Sequence, residues 1–180
     1  IEDRQIVKGD LIYHYCKINA TVKPINVEKR GNFKILNAEV VRADSDSSHE
    51  NPVFQENDEI QVRVRVNEDS YINIFSVSQD GMLSKLLPNA YFKSDMLAAK
   101  KTLIFPDNIQ RAIGLKLRVM TPKNLSKALE SVLIIATKQK VDLLTDWIIA
   151  EPTLTDLLKI LSEIDPSLWA ESTVGYEVRK

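Results

Sequence analysis

The sequence predicts a mainly β protein: an antiparallel β-sandwich, immunoglobulin-like or jelly-roll-like, with one or two short helices including a C-terminal amphipathic helix. Three observations lead there. In "EIQVRVRVN", Ile60, Val62, Val64 and Val66 alternate with Gln61, Arg63 and Arg65, the period-2 pattern of a strand with one buried and one wet face. "YINIFSVSQDGMLSKLLPN" sets Asp80-Gly81, residues that tolerate positive φ, between two apolar runs, which is a strong hairpin signal. Helical periodicity is scarce and comes late. About seven or eight strands with one late helix fit a sandwich decorated by helices.

Taken in order, "INATVKPIN" and "FKILNAEVVRAD" read as strands separated by "VEKRGN". Pro24 suits an edge or a bulge, because it cannot donate to a ladder. "ADSDSSHENPVFQENDE" is a polar, acidic loop. After the "EIQVRVRVN" run comes the turn-prone "NEDS", then the hairpin, Tyr71–Ser78 and Met82–Leu87. Pro88 lacks a ladder N–H and Asn89 can cap the exit into a loop, so Asp80, Gly81, Pro88 and Asn89 are read as structural turn residues.

Gly114–Met120 and Ser131–Lys138, the latter through "VLIIATK", are β-like. "TPKNLSKALES" reads as a helix with Thr121 as N-cap and Pro122 at the first helical position. In "PTLTDLLKILSEIDP", Leu154, Leu157, Leu158 and Leu161 make one apolar stripe. Thr153 and Asp156 form a capping box with Asp in place of Glu, and Pro166 stops the run. "STVGYEVR" returns as a strand. The expected organisation is a single domain over residues 1–180, with a core at about 17–140 and a helical appendage and final strand at about 141–180.

Composition narrows the function classes. The chain has 180 residues, 44% apolar and 27% charged, as in an ordinary globular domain. Its 24 basic and 25 acidic residues give a net charge of -1, with no electrostatic footprint for nucleic acid. Cys16 is the single cysteine, so no intrachain disulfide forms, and the redox compartment stays open. No apolar run approaches the roughly 18 residues of a membrane span. The opening "IEDRQIVKGD" has no initiator Met and no signal sequence, which does not establish cytoplasmic residence.

Each candidate chemistry meets a shortfall in residues. His14 and Cys16 stand two apart, on one face if they lie on a strand, yet no second Cys/His cluster completes a zinc site. Asp44, Asp46, Ser48 and Glu50 have the alternate spacing of a calcium loop. However, His49 replaces the turn Gly, and Gln55 stands where a bidentate Glu belongs. No metal and no cofactor is therefore expected. His14 and His49 are the available imidazole bases, and no Gly-x-Ser-x-Gly context surrounds a serine. Cys16 with His49 is the one Cys–His option, with nothing in sequence to orient it. Five glycines leave no room for a phosphate-cradling loop. Carboxylate pairs such as Asp58 and Glu59 fall in polar turns. Trp147, Trp169 and Tyr176 read as core or helix-docking residues before a ligand platform. Arg63 and Arg65, with Lys100 and Lys101, read as a solvated sheet face before a stripe for an anionic partner.

"VFQENDEIQVRVRVNEDSYINIFSVSQDGMLSKLLPN" resembles the opening of the bacterial domain of unknown function 4384 family. The order is a polar turn ("ENDEI"), a β-run ("QVRVRV"), Tyr with an apolar run ("YINIF"), a short turn ("QDG") and a close of the Leu-Phe-Pro-Asn kind ("LLPN"). "LIFPDN" and "ESVLIIATK" are similar to the family's later part, so the resemblance spans about residues 53–140. Glu56-Asn57-Asp58 stand where the family has a Gly-Asp, and Leu87 replaces a Phe. The resemblance implies a non-catalytic module of exported or lipid-anchored envelope proteins, located in the cell envelope or periplasm, with no catalytic residues to carry over.

The expected function is thus a non-catalytic binding or assembly module of a bacterial cell-envelope protein, not an enzyme, whose partner is another envelope protein. A sheet edge is the expected contact surface. The rival is a small-molecule or glycan-binding domain, or a degenerate hydrolase, with a cleft lined by Tyr91, Phe92 and the tryptophans. A structural spacer is the third reading.

Overall fold

The computed structural model describes residues 2–8, 11–17, 31–43, 45, 52–78, 81–93, 96–141, 143–144 and 152–180. Its strands are β1 (Glu2–Lys8), β2 (Leu11–Lys17), β3 (Ile35–Arg42), β4 (Val53–Gln55), β5 (Glu59–Val66), β6 (Ser70–Val77), β7 (Leu83–Leu87), β8 (Met96–Leu97), β9 (Thr102–Phe105), β10 (Leu117–Arg118), β11 (Lys127–Thr137) and β12 (Trp169–Arg179). Two helices, α1 (Asn108–Ala112) and α2 (Leu154–Glu163), and a 3-10 turn at Pro166–Leu168 complete the order. The protein is mainly β, as expected.

Two sheets make the sandwich. In the smaller, β3 takes one side of β5, while β9 and β10 share the other side end to end. In the larger the order is β4-β12-β11-β6-β7, with β8 also on β6. Pairing is antiparallel except for β4, which runs parallel to β12. β12 pairs with β11 over all eleven residues, Lys127↔Arg179 to Thr137↔Trp169, and so separates β11 from β4. β1 and β2 form a separate two-stranded antiparallel sheet.

The alternation of β5 is realised as read. Ile60, Val62, Val64 and Val66 are buried between the sheets, against Ile72 and Ile74 of β6, Val132, Ile134 and Ala136 of β11, and Tyr176 and Val178 of β12. Each such side chain contributes about 1.5–3 kcal/mol by leaving water. The edge-to-face pair of Phe54 and Tyr176, 5.5 Å between ring centres, ties β4 into this layer.

β11 is buried on both faces, which explains its unbroken apolar run. Leu133 and Ile135 point away from the inter-sheet layer and join Phe75, Leu83, Leu143 and Trp169 under α2. That helix begins as read: Thr153 accepts from Asp156 N, and Asp156 Oδ2 accepts from Thr153 N at 3.0 Å. Of its leucine stripe, Leu157 and Leu161 are buried but Leu158 is exposed; Ile160 and Ile164 pack in its place.

Several expectations are corrected. No helix starts at Thr121: its hydroxyl donates to Glu56 Oε1 at 2.7 Å, so it caps nothing, and from Lys127 the chain pairs with β12. The Gly114–Met120 run shrinks to β10, because Gly114 (φ +100) turns the chain out of α1. The acidic loop contains β4. The β1–β2 pair and α1 have no counterpart among the expected elements. "INATVKPIN", with Pro24, lies outside the described residues.

In the hairpin, Gly81 has φ +83, and its N–H donates to Ser78 O at 2.8 Å. Asp80 lies outside the described residues. No atom stands within 4 Å of a Cβ built at Gly81, so substitution there strains only the backbone. Gly81→Val is expected to cost about 1–2 kcal/mol of stability, measured by urea denaturation, with ligand binding unchanged. A stable variant with selectively lost binding would reverse that view. Pro88 follows Leu87 through a cis peptide bond. Asn89 Oδ1 accepts from the N–H groups of Tyr91 and Phe92, and its Nδ2 donates to Leu86 O, so its side chain fixes the chain leaving β7.

Candidate functional site

With Val62 and Val64 turned inward, period 2 leaves Glu59, Gln61, Arg63 and Arg65 in one row on the outer face of β5. Glu59 begins the row. Lys116 and Arg118 donate to its Oε1 at 2.9 and 3.2 Å, and Arg111 reaches Oε2 at 3.4 Å. These cations, the Lys116 hydrogen bond foremost, hold its carboxyl down at about 2 against an ordinary 4.5. Because the folded value is depressed, the stability Glu59 contributes is complete above pH 4.5 and is lost as pH falls toward 2. Glu59→Gln should flatten that part of the stability profile, read from urea midpoints across the window. An unchanged acid slope would show that Glu59 is not the group responsible.

Beyond Glu59 the row enters a cleft of about 590 Å³. Its lining includes Gln61, Arg63, Ser45, Ile104, Asp107 and Ile109, from four separate segments of the chain. Gln61 is buried and its Nε2 donates to Pro106 O at 2.7 Å, pinning the start of the α1 loop to β5. Arg63 Nη2 donates to Ser45 O at 3.1 Å across the cleft wall. Asp107 caps α1: its Oδ1 accepts from Gln110 N, and Gln110 Oε1 accepts from Asp107 N. α1 buries none of its residues, so Ile109 and Ile113 stand in solvent one turn apart. The arrangement offers a cation, hydrogen-bonding groups and an apolar lip. Among the described residues that line it there is no His and no Cys, and Asp107 is the single carboxylate. Among the described residues no group of three His, Cys, Asp or Glu is placed to hold a metal ion.

Residues singled out by sequence are scattered. His14 and Cys16 occupy alternate positions of β2, opposite Gln5 and Asp3. Asp44, Asp46, Ser48, His49, Glu50 and Trp147 lie outside the described residues, and Gln55 ends β4. Asp58 bonds Arg42 at 2.7 Å beside the Glu59 cluster. Trp169 and Tyr176 face opposite sides of β12, one under α2 and one between the sheets, so they make no common platform. Tyr91 is 87% exposed, Phe92 packs on the inter-sheet core and Trp169 lies under α2, so these three described aromatics line no common cleft. Arg63 and Arg65 do share a face, and Arg65 pairs opposite Thr102, next to Lys101. Ile104, Asp107 and Ile109 were missed; the one sequence signal was Asp107 with Gln110, a capping-box spacing.

The fold and the cleft together define a β-sandwich module with one helix layered on its larger sheet. Residues 53–140 match the model of the family described as Domain of unknown function (DUF4384), over the same span as the resemblance. They supply β4 to β11; β3 and β12 come from outside it. No curated protein and no solved structure matches the chain.

Proposed function

We propose that this chain is a non-catalytic binding or assembly module of a bacterial cell-envelope protein, and that it engages a partner envelope protein through the cleft on β5. The observation that carries this reading is the commitment of two described acidic groups there, Glu59 and Asp107. Glu59 is held ionised by three cations, and Asp107 Oδ1 is engaged as a helix cap. A general acid needs a carboxyl near the working pH, and Glu59 is displaced the other way. The envelope setting is supported by the family resemblance. Among the described residues no strand takes the far side of β3, which leaves an edge where a partner strand can add.

Pulldown from envelope extract, with native and heat-denatured chain as baits, tests this. A partner held by the native bait alone is expected, with no turnover of ester, glycoside or peptide substrates. Turnover, or no partner under any condition, would count against it. The rival small-molecule reading draws on the size of the cleft, which is that of a ligand pocket. Among the described residues that line the cleft none is aromatic, so none offers a face on which a glycan stacks. Micromolar stabilisation by a glycan or nucleotide in a thermal-shift screen would favour the rival.

A further inference from the structure

We draw no further inference here: the strongest candidate, the patch on the outer face of the larger sheet where the exposed Leu129 and Val53 stand on either side of Glu177, carries nothing, because nothing in the structure shows what covers it.

Discussion

A chain ended at Lys140, the limit of the family segment, is expected to show no cooperative unfolding transition. The reason is the position of β12. It lies between β11 and β4, so its removal leaves β11 without a partner along one whole side and β4 with no strand beside it. Trp169, Tyr176 and Val178 leave with it, and Leu157 and Leu161 leave with α2; all are buried. At about 1.5–3 kcal/mol for each side chain, the loss matches the whole net stability of an ordinary domain, about 5–15 kcal/mol. The bared face of β11, from Leu133 to Ile135, would then drive association. Circular dichroism melting and sedimentation velocity check this. A sharp melt from a monomeric species would show that β4 to β11 close without the last strand.

Phe105→Ala carries the next largest effect, a loss of about 3–5 kcal/mol in urea unfolding. Phe105 is 1% exposed, pairs opposite the buried Val62 and packs between the sheets. The space it would leave has no obvious way to close, because both neighbouring layers are sheets. Ile104, the preceding residue, faces the cleft, and Ile104→Ser should stay within about 0.5–1 kcal/mol. Equal losses from the two variants would mean that the alternation along β9 is not as described. The contrast also separates the two faces of β9, since Ile104 lines the cleft and Phe105 packs in the inter-sheet core.

Strands whose side chains face one layer announced themselves. Ile60 to Val66 alternate because only one face of β5 is dry, and Asp80-Gly81 marks a turn whatever surrounds it. The continuous run in β11 also reads as a strand, although its two-sided burial depends on α2 arriving from elsewhere. The helix expected at Thr121 failed for a tertiary reason: Glu56, distant in sequence, takes the hydroxyl that a cap would need. β4 is three residues long and is held by β12, so nothing local could mark it. The cleft was the least legible part. Arg63 was noticed as one of two arginines on a strand face, but Ile104 and Ile109 become its neighbours only after the chain has passed through β6, β7 and β8, and Ser45 precedes it by a strand.

The parallel pairing of β4 with β12 has a consequence for the path of folding. Val53 finds Glu177 from more than half the chain away, and every strand from β5 to β11 is synthesised between them. Vectorial emergence from a ribosome therefore presents β11 to the cell before the neighbour that separates it from β4 exists. Local hairpins such as β6–β7 can form early, but closure of the larger sheet waits on a contact of long sequence separation, the kind that slows folding. Until then the burden of keeping β11 from other chains falls on speed of synthesis and on chaperones.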